Sequence, residues 1–242
     1  MLIGAALVLA GLVAVPPPVR HLVYSFTYTN AQTQTAHDSG ISNSSAAGRS
    51  ANAPISGVAE SRADTDDRGT VTVDVIRVQE DTGLVVSISE QARGNRSARP
   101  AVCVAYGNTN VICDPDSRVT TEEFALLRLM GQNFVDPAQI DAKNHWRVEQ
   151  VGRTNSDTAD FSIRKNDSGV MLISSVRVLH ATGPQGFTST SDGTIGYDYV
   201  RLIPTSVGED ETIRQDDGIG SYTTLRTRTM LVLIDDSAAK KP

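Results

Sequence analysis

The residues that could do chemistry in this 242-residue chain are few and poorly spaced for it. Cys103 and Cys113 are the only cysteines, and no histidine lies near enough to complete a tetrahedral zinc site with them. His21, His37, His145 and His180 share no ligand spacing. Asp64, Asp66, Arg68 and Gly69 begin like a calcium loop but set an arginine where a third oxygen ligand belongs, and Asp114, Asp116 and Arg118 break at the same place. Both read as solvated acidic turns. Carboxylates cluster at Asp66-Asp67, Glu209-Asp210-Glu211, Asp216-Asp217 and Asp235-Asp236, all in or beside segments that read as turns. Nothing in the sequence brings two of them across a cleft at the separation a glycosidase uses. No nucleophile elbow, phosphate loop or dinucleotide fingerprint occurs, and Thr190 to Gly193 reads as a turn. The reading is a non-enzyme with no cofactor and no metal.

The cysteines make better partners for each other. Residues 101–106 and 110–114 are short β-rich runs around Gly107-Asn108-Thr109, an ordinary three-residue hairpin loop. Centring the loop on Asn108 sets Cys103 directly across from Cys113, where cross-strand Cβ atoms lie about 4.5–5.5 Å apart. A disulfide needs about 3.5–4.5 Å, so a small adjustment closes it in an oxidising compartment.

The elements around this hairpin supply the other candidate residues. Thr120-Thr121-Glu122-Glu123 fits a capping box, in which the threonine hydroxyl takes the amide of Glu123 and its carboxylate reaches back. Phe124, Leu126, Leu127, Leu129 and Met130 follow with only Arg128 charged among them, which predicts a helix buried round most of its circumference. Gly131 is placed to end it in a left-handed turn, and Asp136-Pro137 reads as the start of a short helical turn through Ala142. His145 to Val148 returns to strand, with Trp146 placed to anchor the helix to a sheet.

Elsewhere the signal is β. His21 to Asn30 alternates, with Leu22, Tyr24, Phe26 and Tyr28 on one side. Ala31 to Pro54 has one aliphatic residue larger than alanine (Ile41) and no aromatic, which predicts a mobile loop. A strand is expected within Ile55 to Ala63, and further strands over Gly69 to Gln79 and Gly83 to Gln91. The first of that pair slips phase at Ile76, as a β-bulge would make it. A hairpin is expected across residues 165–168, then long strands over 186–203 and 220–234, separated by a solvated acidic loop over 207–218. Strands of ten to fifteen residues would span about 33–50 Å and must coil. The fold class is therefore mainly β: a long curved antiparallel meander, half-barrel or barrel-like, with one inserted apolar helix plugging its hollow.

Met1 to Val15 is an unbroken apolar run closed by three prolines. It is short of the ~20 residues a spanning helix needs and suits an export signal or N-terminal anchor over residues 1–18. A single β-rich domain over 19–236 is expected to follow, with 120–142 as its inserted helical segment and 237–242 as a frayed tail. The net charge of −6 argues against a nucleic-acid partner. The architecture resembles the lipoprotein-carrier half-barrels of bacterial envelopes, loosely over residues 20–235 and without a shared motif. Two functions follow: an exported, non-catalytic binding or envelope-structural module, or a carrier of a lipid or other apolar ligand. In the carrier reading a continuous apolar cavity is lined by Tyr24, Phe26, Tyr28, Phe124, Leu127, Met130, Phe134 and Trp146. The partners implied are a lipid or an envelope protein, with membrane contact only through the N-terminal segment if it is uncleaved, in an extracytoplasmic setting.

Overall fold

The alternation read at His21 to Asn30 belongs to an interior strand of one large antiparallel sheet. A computed structural model describes residues 19–36, 59–79, 83–92, 100–106, 110–131, 134–167, 169–183, 186–216 and 222–237. In chain order the elements are β1 (Arg20–Ala36), β2 (Ala59–Val78), β3 (Leu84–Ala92), β4 (Ala101–Ala105), β5 (Val111–Cys113), α1 (Thr121–Leu127), β6 (His145–Val151), β7 (Asn155–Asp167), β8 (Val170–Ala181), β9 (Phe187–Asp198), β10 (Ile203–Asp216) and β11 (Tyr222–Asp236). The spatial order is β5-β4-β3-β2-β1-β11-β10-β9-β8-β7-β6. The sheet is open, with β5 and β6 as its two edges.

This topology explains why a short helix is buried. β1 joins two meanders that run outward in opposite directions, and the chain must pass from one edge, β5, to the other, β6. The crossing segment, residues 114–144, lies over one face of the sheet and carries α1. That face is apolar because Leu22, Tyr24 and Phe26 of β1 meet Val71 and Val73 of β2 and Leu231 of β11, all at most 2% exposed. Leu126, Leu127 and Met130 close over it fully buried. A bulge falls between Val75 and Arg77, where the phase slip at Ile76 predicts it. Gly131 takes φ 107°, and Gly169, at φ 94°, turns the β7–β8 hairpin.

Several expectations are corrected. Ala31 to Ala36 is not loop: β1 runs on to Ala36, with ladder partners on both sides as far as Thr35, so backbone hydrogen bonds hold a segment that has little to bury. Residues 37–54 lie outside the described residues, as do 1–18, those after 237 and 80–82, where a turn is expected. The strand expected within Ile55 to Ala63 begins at Ala59 and is continuous with the next, so Asp64, Asp66 and Asp67 sit in β2 rather than in a turn. Residues 186–203 do not form one strand. β9 stops at Asp198, whose Oδ1 accepts the amides of Val200 (3.0 Å) and Arg201 (2.8 Å), and the chain reverses there. Thr190 to Gly193 is the middle of β9. The acidic run after Val207 is strand β10, laddered to β9 on one side and β11 on the other. The segment 120–142 is helical only over Thr121–Leu127; after Pro137 it is a turn in which Asp136 Oδ1 accepts the amide of Ala138 at 2.9 Å. Among the described residues no helix is long and apolar enough to cross a membrane.

Candidate functional site

The hairpin places its cysteines as expected. Tyr106 N–H donates to Asn110 C=O and Asp114 N–H to Val102 C=O, which fixes the hydrogen-bonded pairs on either side. Cys103 and Cys113 therefore form a non-hydrogen-bonded pair, the kind in which opposed Cα atoms come closest. Their Cα atoms are 4.0 Å apart and the disulfide is formed.

The capping box also forms. Thr120 Oγ1 accepts the Glu123 amide at 3.2 Å, while Glu123 Oε2 takes the Thr120 amide at 2.9 Å. The hydroxyl proton goes elsewhere, to Glu90 Oε2 of β3 at 2.6 Å. Glu90, Glu122 and Glu123 thus crowd one end of α1. Burial pushes the Glu90 carboxyl up to about 7; the Thr120 hydrogen bond opposes this, and the charges of Glu122, Glu123 and Asp67 add to it. Burial raises Glu122 and Glu123 in the same direction.

Of the eight residues expected to line a cavity, the structure brings six into the interior. Tyr24, Phe26, Leu127, Met130, Phe134 and Trp146 are each at most 3% exposed. Phe134 is the hub of an aromatic cluster, with ring centroids 5.9 Å from Trp146, 5.3 Å from Phe161 and 5.0 Å from Tyr197, all edge-on. Trp146 stacks on Phe161 at 5.0 Å. Two hydroxyls are tied down, Tyr24 to Pro204 C=O (2.9 Å) and Tyr197 to Gly131 C=O (3.2 Å). Tyr28 is half-buried at the margin. Phe124 is placed differently: it is 37% exposed on the far side of the helix, with the Arg128 guanidinium 5.4 Å above its ring.

These side chains fill the space between helix and sheet. Beside it, Ala125, Leu129, Phe161, Ile195 and Val207 border a pocket of about 30 Å³. A water needs about 10–15 Å³ on this measure, so the pocket suits a water or two and not an acyl chain.

The charged residues that matter here were missed by sequence reasoning. Arg128 projects from the end of α1 and donates to Glu209 Oε2 of β10 at 3.2 Å. Ser191 Oγ donates to the other oxygen of Glu209 at 2.7 Å, and Ser189 Oγ donates to Glu211 at 2.5 Å. Arg177 grips Asp157 through Nε (2.7 Å) and Nη2. Burial draws the Arg128 guanidinium below its usual range, against the pull of Glu209, and its Nε has no hydrogen-bond partner among the described residues. On the opposite face Asp210 is paired with Arg228 at 2.6 Å. With every acid of Glu209-Asp210-Glu211 matched, β10 reads correctly: Val207, Glu209 and Glu211 alternate inward. That period-2 pattern was the available signal, hidden by the density of charge.

A groove of about 460 Å³ adjoins the Arg177–Asp157 pair, where the sheet's two edge regions face one hollow. It is bordered by Val111 next to β4, by Val151, Asp157 and Arg177 of the other meander, and by exposed Phe124.

No family model matches the chain, and no curated protein matches it. A chain of lipovitellin, from a structure of lipid–protein interactions in lipovitellin, follows a similar backbone course with TM-score 0.46 and 10% identity. The match covers 94% of this chain and 26% of that one, so this chain spans about a quarter of the lipovitellin chain's length. At that level of likeness neither a family nor a ligand is assigned.

Proposed function

We propose that the chain is a non-catalytic binding or envelope-structural module that works outside the cytoplasm and binds at its surface rather than around a cargo. The observation that carries this reading is the filled interior. Leu127, Met130 and Phe134 are at most 1% exposed, and the pocket beside them holds about 30 Å³. The cross-strand disulfide supports an oxidising compartment, where such bonds persist.

Carriage of a lipid or other apolar ligand remains the second reading, supported by the apolar inner face that the segment 114–144 covers. It requires that segment to swing out and the ligand to replace Leu127, Met130 and Phe134 on the sheet. Native mass spectrometry of the protein purified from its own host separates the two. A surface-binding module gives the bare polypeptide mass, or that mass plus a protein partner; co-purified lipid overturns it in favour of the carrier. Compartment is tested independently, since peptide maps of that material with and without reductant should differ by the Cys103–Cys113 link.

A further inference from the structure

The β6 edge of the sheet leaves backbone groups unpaired among the described residues. Ile163 N–H donates to Asn144 C=O (2.9 Å) and Gly152 N–H to Asn155 C=O (2.8 Å), just before and just after β6. These bonds lie on the same register line as Trp146 opposite Phe161, Val148 opposite Ala159 and Gln150 opposite Asp157. In an antiparallel ladder alternate residues bond to the partner strand. The even-numbered residues of β6 therefore bond to β7, and His145, Arg147, Glu149 and Val151 aim their N–H and C=O groups away from it. His145 is already satisfied, its carbonyl by the Asp141 amide (2.8 Å) and its amide by Asp141 Oδ1 (2.9 Å). The backbone groups of Arg147, Glu149 and Val151 have no partner among the described residues. All three side chains are exposed, Val151 by 76%.

A bare edge strand is normally guarded against pairing by like charge, proline or brevity. β6 has no proline, is seven residues long, and carries one positive and one negative charge two residues apart. That pattern is self-complementary. A two-fold axis through Val148 sets Arg147 of one copy opposite Glu149 of the other, and Glu149 opposite Arg147. Both residues aim their backbone groups outward, so each opposed pair can exchange two hydrogen bonds. Both side chains lie on the same face of the strand, so each pair also matches charge. At the axis Val148 meets Val148 as a non-hydrogen-bonded pair, the closer of the two spacings. The register that matches the charges is therefore also one that matches the hydrogen bonds.

We infer that β6 is a homotypic interface: it pairs antiparallel with β6 of a second copy about Val148, joining two open sheets into one across an isologous two-fold contact. This rests on no assumption about what the module binds elsewhere.

Sedimentation velocity of the full chain over a concentration series tests the pairing. The wild type should shift from monomer to dimer as concentration rises. Arg147→Glu sets like charges opposite each other twice and should weaken dimerisation on the order of tenfold or more, as should Glu149→Arg. The double exchange, Arg147→Glu with Glu149→Arg, restores both pairs and should restore the dimer. Val148→Cys should give a reductant-sensitive covalent dimer under mild oxidation. The charged positions are exposed, so near-ultraviolet circular dichroism should be unchanged in all the charge variants. A wild type that stays monomeric throughout overturns the inference. So do single exchanges that dimerise like the wild type, a double exchange that does not recover, or a foreign peptide found on this edge by cross-linking.

Discussion

The segment that crosses from β5 to β6 and carries α1 meets the sheet on two unlike flanks. Toward β6, β7 and β9 the contact is neutral and aromatic: Phe134 is wedged among Trp146, Phe161 and Tyr197, with one backbone carbonyl satisfied by the Tyr197 hydroxyl. Toward β3 and β10 it is ionic, with Glu90 beneath the helix start and Glu209 beneath its end, each bonded to a residue of the crossing segment, Thr120 and Arg128. Both flanks hold the same crossing segment, but by forces that answer to different variables. Aromatic burial depends on volume and is nearly indifferent to pH and salt. Buried charge depends on its partner and on protonation.

The largest way to break the comparison is to empty the neutral flank. Phe134→Ala removes the hub of the aromatic cluster and should cost about 3–5 kcal/mol, measured by chemical denaturation, with the same loss at low and high salt. On the ionic flank, Glu209→Gln keeps shape and an acceptor but strips the charge that faces the Arg128 guanidinium. With side-chain exposures of 11% and 19% the pair is largely but not wholly shielded. The expected loss is about 2 kcal/mol, less than full burial would give. Arg128→Met in the Glu209→Gln background should recover part of it, because the orphaned cation is then gone. If Phe134→Ala proves no worse than Glu209→Gln, the ranking of the two flanks is wrong.

The same division explains what the sequence made legible. The neutral flank could be read because apolar periodicity reports burial directly: Leu22, Tyr24 and Phe26 alternate, and Leu126, Leu127 and Met130 recur at helical spacing. The disulfide could be read because hairpin geometry is local, the paired positions being ten apart in the chain. The ionic flank could not. Glu209 and Glu211 resemble solvent-facing residues until Ser189, Ser191 and Arg128 are known to meet them, and those donors lie 18 to 81 positions away in the chain. Phe124 was assigned to the interior by type, yet a seven-residue helix lying on a sheet has one face to bury, and Phe124 is on the other. Strand continuity past Ala31 was missed because it depends on two ladder partners, β2 and β11, that no local pattern reveals.

A smaller break lies in the capping box. Thr120→Ala removes the acceptor for the Glu123 amide and the donor to Glu90 together. A cap alone is worth about 1 kcal/mol, and that loss should appear at acidic pH. It should grow at alkaline pH, where Glu90 is charged and has lost the hydroxyl that donates to it. A loss independent of pH would show that Thr120 acts on the helix alone.

The finest test is Glu90 itself. Its carboxyl is raised from 4.5 to about 7 in the folded protein, chiefly by burial. The folded state therefore holds a proton that the unfolded chain gives up. That contribution to stability is complete below pH 4.5 and is lost as pH rises through about 7. Glu122 and Glu123 shift the same way and add to the slope. Asp141 and Asp198 are lowered from 3.8, so their contributions are lost only in more acidic solution and leave this window clear. The melting temperature should accordingly fall between about pH 5 and pH 8. Glu90→Gln keeps an acceptor for the Thr120 hydroxyl and removes the charge. It should flatten the fall and leave the variant more stable than the wild type at the alkaline end. Because Phe134 and its aromatic neighbours carry no charge, Phe134→Ala should lower the whole profile without changing its slope, and a changed slope there would mean that the two flanks are coupled through α1.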